Sequence, residues 1–312
     1  MQKINAKRWL SGILAAILLL AVFPLGTFAE EGDLTITTKE ELLQFAQSVS
    51  GGESYTGKIV VLAANLSLAG EDFAGIGSSA APFKGTFDGQ NHIVSDLSSS
   101  VGFFADVNGG TVKNLIVRGM VNGASNIAGV VGKLTAGAVQ NCGNEASVSG
   151  GANVGGVVGS VNGDCTVSGC YNSGAVSGTT GYIGGVTGQH WRAGTVENCY
   201  NIGTVSGPAT VGGITGGHKA SSPVLRNCYS AGTVVDTAGN QNNIGAVIGA
   251  TRGTNENCYF LSGCGTNDKT GITEVSSLSA SQLGDAFKAD EDGINGGLPV
   301  FAWQIRQPDL II

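Results

Sequence analysis

Val154-Gly-Gly-Val-Val-Gly159, followed after a polar turn by Val167-Ser-Gly-Cys170-Tyr171-Asn172, is the stretch from which the rest of the chain can be read. Its first half recurs as Ile127-Ala-Gly-Val-Val-Gly132, Ile183-Gly-Gly-Val-Thr-Gly188, Val211-Gly-Gly-Ile-Thr-Gly216 and Ile244-Gly-Ala-Val-Ile-Gly249. Its second half recurs as Val139-Gln-Asn-Cys142, Val196-Glu-Asn-Cys199, Val224-Leu-Arg-Asn-Cys228 and Asn255-Glu-Asn-Cys258, with successive cysteines 28, 29, 29 and 30 residues apart. A third short element, such as Gly203-Thr-Val-Ser-Gly207, closes most units, and a degenerate copy runs from Val101-Gly-Phe-Phe104 through Val112-Lys-Asn-Leu-Ile-Val117.

Each unit therefore holds three β-branched segments bounded by Gly or Asn, which are strand signals with turn punctuation. No unit carries a helical pattern. Three strands without a helix bury their apolar side chains only by coiling onto the next unit, so the spacing predicts an all-β, single-stranded parallel β-helix with a coil of about 29 residues. The general preference for right-handed parallel crossovers sets the expected hand.

Aligning the units assigns directions. Cys142, Cys170, Cys199, Cys228 and Cys258 share a column with Leu115, so the column is interior and Cys fills it as a small hydrophobe. The preceding column, Asn114, Asn141, Gly169, Asn198, Asn227 and Asn257, holds residues that tolerate a left-handed backbone, which marks a bend. Asn144, Asn172 and Asn201 align with Val117 and face inward, where stacked amides can hydrogen-bond from coil to coil.

Composition agrees with an extracellular solenoid. Gly contributes 52 of 312 residues without a three-residue period, and only 12% of residues are charged. The N-terminus places Lys3, Lys7 and Arg8 before an apolar run from Ile13 to Phe23 and ends in Thr27-Phe28-Ala29, the pattern of a secretory signal over residues 1–29. Localisation is therefore expected to be secreted or at the cell surface, with no integral membrane span after cleavage. Past that signal 13 Lys and Arg face 23 Asp and Glu. An acidic chain of this kind is a poor partner for nucleic acid, whose binding depends on neutralising phosphates.

The repeated Gly-Gly-Val-x-Gly followed by Asn-Cys-Tyr-Asn-x-Gly resembles the GLUG-motif repeat family of exported bacterial proteins, over roughly residues 33–304. Phe83-Lys-Gly-Thr-Phe-Asp-Gly-Gln-Asn-His-Ile93 is similar to the segment that precedes such repeats in pectate-lyase-like helices and in the N-terminal regions of some streptococcal IgA1 proteases. The resemblance implies a β-helical extracellular module linked to adhesion or to a larger surface protein, with no defined reaction.

Both ends are expected to be caps. Thr38 and Glu41 form a capping-box pattern before Leu42, Leu43, Phe45, Ala46 and Val49, an apolar helical face suited to plug the first coil. Ser279 and Gln282 repeat the pattern at the start of a second helix reaching Lys288, ahead of a closing strand within Ile294–Trp303. The expected division is a signal at 1–29, an N-terminal cap and first coils at 30–100, repeat coils at 101–264, a C-terminal cap at 265–304 and a tail at 305–312.

Chemistry is sparse. Stacked parallel strands disfavour bridging neighbouring cysteines, and an odd count of seven cannot pair completely, so buried reduced thiols are expected, with Cys165 and Cys264 the positions left open for a disulfide. No Cys-x-x-Cys pair suggests a metal site and no cofactor motif appears. Tyr171, Tyr200, Tyr229 and Tyr259 each follow an inward Cys and so point outward, as a ligand platform or as a stacking ladder. His190-Trp191-Arg192 and His218-Lys219 lie at the same offset one coil apart, as a patch for an acidic sugar or carboxylate or as a solvated loop. Glu145, Asp164, Glu197, Asp236 and Glu256 occupy different offsets and assemble no obvious catalytic pair. Two readings follow: a non-catalytic surface module binding a glycan or a host or matrix protein, or a carbohydrate-active enzyme (lyase or hydrolase) or accessory region of a secreted protease.

Overall fold

The computed structural model describes residues 33–239 and 243–305. The expected signal and nearly all of the expected tail lie outside the described residues. The chain winds into a parallel β-solenoid of about eight turns. One file of side chains traces the stack: Leu34, Val60, Phe87, Val112, Val139, Val167, Val196, Leu225 and Asn255 pair in register from coil to coil. Parallel files of Val121, Val148, Val176, Val205 and Val234 and of Ile127, Val154, Ile183, Val211 and Ile244 form the opposing walls. Between the walls lies one continuous apolar core. β-Branched residues suit this arrangement because their restricted side chains stack on identical neighbours in a pleated wall.

The bends follow the Asn column. Asn114, Asn141, Asn198, Asn227 and Asn257 have φ between 50° and 54°, and Gly169 has φ 63°. Their amides also form an external ladder: Asn141 Nδ2 donates to Asn114 Oδ1 at 3.2 Å and Asn257 Nδ2 to Asn227 Oδ1 at 2.9 Å. Behind the bend stand Cys142, Cys170, Cys199, Cys228 and Cys258 in a single internal file, all buried. Each thiol donates back to the carbonyl two residues earlier, as Cys199 does to Glu197 O at 3.1 Å. All seven cysteines are free and buried, Cys165 and Cys264 included. Burial pushes the Cys142, Cys199 and Cys228 thiols up, away from reactive thiolate.

Inside the core, Asn144 Nδ2 donates to Asn172 Oδ1 and Asn172 Nδ2 to Asn201 Oδ1, both at 2.7 Å. Each amide makes a second bond to the backbone, such as Asn172 Nδ2 to Gly174 O at 2.8 Å. This ladder explains one glycine of the repeat. A Cβ on Gly156 would stand 2.3 Å from Asn172 Oδ1, and one on Gly129 1.8 Å from Asn144 Oδ1. The motif is thus a groove cut in one strand for the amides of another.

The first coil is plugged as expected by a helix, α1 (Lys39–Ser50), which buries Leu42, Phe45, Ala46 and Val49. Thr37 and Thr38 N–H groups donate to Glu41 Oε2 at 2.7 and 3.1 Å, completing the capping box. Phe45 packs edge-on to Phe83 with centroids 5.8 Å apart. The other end differs from expectation. The helix starting after Ser279 is only α2 (Ala280–Leu283), because Gly284 at φ 97° ends it, and Phe287–Lys288 pairs antiparallel with Val300–Phe301 before α3 (Ala302–Ile305). That segment does not sit over the last coil. The last coil is closed instead by residues 264–271: Asn267 Oδ1 accepts from the Val247 and Ile248 N–H groups at 2.8 and 2.9 Å, standing in for a further rung.

Candidate ligand-binding surface

The strand direction puts Tyr171, Tyr200, Tyr229 and Tyr259 outside the coil, in register from rung to rung. Tyr171 and Tyr200 stack at 5.4 Å and Tyr200 and Tyr229 at 5.0 Å. They do not form an exposed platform. Tyr171, Tyr200 and Tyr229 are fully buried, because the segment from Leu278 to Trp303 folds back along the side of the solenoid and lays Leu283, Phe287, Phe301 and Trp303 over them. Asn295 Nδ2 donates to the Tyr229 hydroxyl at 2.7 Å, and that hydroxyl donates to Pro299 O at 2.5 Å. Gln304 Nε2 donates to the Tyr200 hydroxyl at 2.6 Å, and the Tyr171 hydroxyl donates to Glu145 Oε1 at 2.5 Å. Burial, with the Glu145 carboxylate beside it, pushes the Tyr171 hydroxyl up. Tyr259, at the end of the file, stays partly exposed. The tyrosine file is thus a stacked ladder under cover, and Tyr171, Tyr200 and Tyr229 present no open platform.

The histidines part from their neighbours in the same way. His190 and His218 are not in a surface loop. The strands Thr187–His190 and Thr215–His218 run on past Gly188 and Gly216, and both imidazoles turn into the core, edge to face with centroids 5.6 Å apart. They continue the interior file of Leu134 and Val161. The signal was in the sequence: Leu134, Val161, His190, His218 and Thr251 all lie two residues after the last glycine of their motif. Desolvation holds His190 down to about 3 and His218 down to about 4, with His218 lowering His190 further. Both rings are neutral at physiological pH.

What remains outside is Trp191, Arg192 and Lys219, which follow the two histidines directly. Trp191 is 47% exposed. The Lys219 ammonium lies 4.9 Å from the Trp191 ring and 5.2 Å from the ring of Tyr182, a residue the sequence reading passed over. Two rings therefore hold one cation in place on the turn edge.

Four carboxylates of the coils have cationic partners. Glu145 bonds Arg118 at 2.5 Å, Glu197 bonds Arg226 at 2.6 Å, Asp106 bonds Lys133 at 3.0 Å and Asp88 lies 3.3 Å from Lys113. Among the described residues no cluster of three or more His, Cys, Asp or Glu has the geometry to hold a metal ion. A hollow beside Phe260 at the last coil is lined by Asn243, Thr266, Asn267, Asp268, Lys269 and Glu274, where Lys269 and Asp268 neutralise each other.

A crystal structure of a Bacteroides ovatus protein described as a "putative immunoglobulin A1 protease" shares this fold, with a TM-score of 0.67 and 22% identity over 86% of this chain and 92% of that one. No family model and no curated protein matches the sequence.

Proposed function

We propose that this chain is a non-catalytic, exported β-helical module of the GLUG type, which holds a binding surface for a glycan or a host or matrix protein away from the cell. The observation that carries this reading is the division of charge on the coils. Asp88, Asp106, Glu145 and Glu197 are held in rung-to-rung ion pairs, whereas a cation held on aromatic rings is offered to solvent at Trp191 and Lys219. Catalysis of glycoside cleavage asks for two carboxylates free to exchange protons across a sugar, and Glu145, Glu197, Asp88 and Asp106 are each committed to a cation.

A second reading, that the chain is an accessory region of a secreted protease, is favoured by the fold it shares with the Bacteroides ovatus protein. One experiment separates the readings. The protein starting at Glu30 is applied to immobilised mucin, matrix proteins and glycans, and is incubated in parallel with polysaccharides and with immunoglobulin A1. Retention without product supports the module. Release of saccharide or cleaved immunoglobulin overturns it, and retention on immunoglobulin alone shifts the assignment to the accessory region. Export itself is checked by N-terminal sequencing of the protein recovered from culture medium or cell surface, with Glu30 the expected first residue.

A further inference from the structure

Between residues 101 and 264 the chain has seven Lys and Arg residues. Lys113, Arg118, Lys133 and Arg226 are each within ion-pair distance of an acid one coil away. Among the described residues Arg192, Lys219 and Arg252 are in no ion pair, and all three are exposed. These three unpaired cations share one turn edge. Trp191 N–H donates to Val161 O at 2.8 Å and Lys219 N–H to His190 O at 2.9 Å, so the ladder continues through the turn and stacks Lys219 over Trp191. The Gly217–Ala250 register places Thr251 over His218, with Thr251 Oγ1 3.4 Å from His218 Nδ1, and Arg252 lies on the shorter turn that follows, one coil above the turn of Lys219. Trp191 and Lys219 thus stack parallel to the solenoid axis, at roughly 4.8 Å per rung, with Arg192 beside the lower end and Arg252 on the same turn edge one coil above. Asp164, on the same turn one coil below, is exposed and pairs with none of them.

We infer that this edge binds an anionic saccharide lying along the solenoid axis. Its carboxylate or sulfate groups meet Arg192, Lys219 and Arg252 on successive rungs, and one sugar ring stacks on the exposed face of Trp191. The inference rests on the proposed binding role and names its ligand. Three arguments select this occupant. The chain carries a formal charge of −7, so three cations in no ion pair, with Asp164 the one acid on the neighbouring turn below, are a local attraction for an anion and not a general basic surface. Lys219 is already oriented by Tyr182 and Trp191, which reduces the side-chain entropy lost when it engages an anion. The Trp191 and Lys219 N–H groups are used in the ladder, so this edge offers those donors to no added peptide strand, whereas a flat indole face beside fixed cations matches a sugar ring with an acidic substituent.

The test uses the chain from Glu30 with uronate oligosaccharides, sulfated heparin-derived oligosaccharides, neutral oligosaccharides of equal length and a poly-glutamate peptide. Binding is read by calorimetry and by fluorescence, in which exposed Trp191 is distinguished from Trp303 by a Trp191→Phe variant. Uronate or sulfated ligands, or both, are expected to bind and to weaken as salt rises, the two arms telling which anion is preferred. Lys219→Ala and Arg252→Ala are each expected to weaken binding roughly tenfold with an unchanged melting temperature, and the Arg192→Ala, Lys219→Ala, Arg252→Ala triple variant to abolish it. Equal binding of neutral saccharides that survives the triple variant keeps the module reading and overturns this one. Poly-glutamate bound as tightly as the saccharides also overturns it. No binding to any glycan or matrix protein defeats the parent reading instead.

Discussion

Gln304 donates a 2.6 Å hydrogen bond to the hydroxyl of Tyr200, joining two residues 104 positions apart and fastening the C-terminal segment along the flank of the solenoid. Trp303 lies 5.8 Å from Tyr171, and Phe301 5.2 Å from Tyr200. The strap is therefore part of the fold. Tyr200→Ala removes a buried ring from the middle of a three-ring stack and is expected to destabilise by about 3–5 kcal/mol. Tyr200→Phe keeps the ring and strands the Gln304 amide, at a cost of about 1–3 kcal/mol. Both are read as falls in melting temperature and as faster proteolysis of residues 278–305. A Tyr200→Ala protein as resistant as the parent would show that the strap is not held here.

The internal amide ladder makes a separate prediction. Asn172→Ala leaves Asn144 without its side-chain acceptor and Asn201 without its side-chain donor, both inside the buried core. A loss of about 1–3 kcal/mol per stranded group is expected in urea unfolding. Gly156→Ala is also expected to be destabilising, since its Cβ would meet Gly185 O at 2.2 Å and Asn172 Oδ1 at 2.3 Å. Joining the two substitutions should cost only somewhat less than their sum, because the smaller side chain at 172 relieves one clash while Gly185 O stays 2.2 Å from the added Cβ.

Acid should expose the buried histidine pair. In the fold His190 and His218 are held near 3 and 4, whereas in the unfolded chain they titrate near about 6.5. Above that value neither state is protonated and the fold keeps its full stability. As the pH falls below it, the unfolded chain takes up two protons that the fold cannot accept. Each histidine then contributes up to about 2 kcal/mol of lost stability by pH 5. Melting temperatures measured from pH 7.5 to 5 should therefore fall, and a His190→Val, His218→Val variant, which repeats the valine found at Val161 in the same file, should show a flatter profile. An equal slope in the two proteins would remove the histidines from the account.

Thiol accessibility tests the interior file. All seven cysteines are free and buried, so the native protein should react with none of a bulky thiol reagent and the unfolded, unreduced protein with seven equivalents. Fewer than about three reactive thiols after unfolding would mean that disulfides have replaced the free file.

The repeat made much of this legible. The inward Cys and Asn columns, the left-handed bends at Asn and the direction of each tyrosine follow from a period of about 29 residues and strand alternation, and the structure reproduces them. The histidines were misplaced for a local reason. Gly188 and Gly216 look like strand ends, yet the backbone continues for two more residues, and only the comparison with Leu134 and Val161 shows that the position faces inward. The third element of the site, Tyr182, lies more than one coil before the Lys219 it contacts and is its neighbour only through stacking.

By itself the sequence determined which residues lie over one another, because a solenoid turns spacing along the chain directly into position in space. Whether an outward side chain meets water was decided only by tertiary structure. The strap that covers Tyr171, Tyr200 and Tyr229 arrives from beyond the repeats, and a periodic pattern holds no information about a segment that does not share its period.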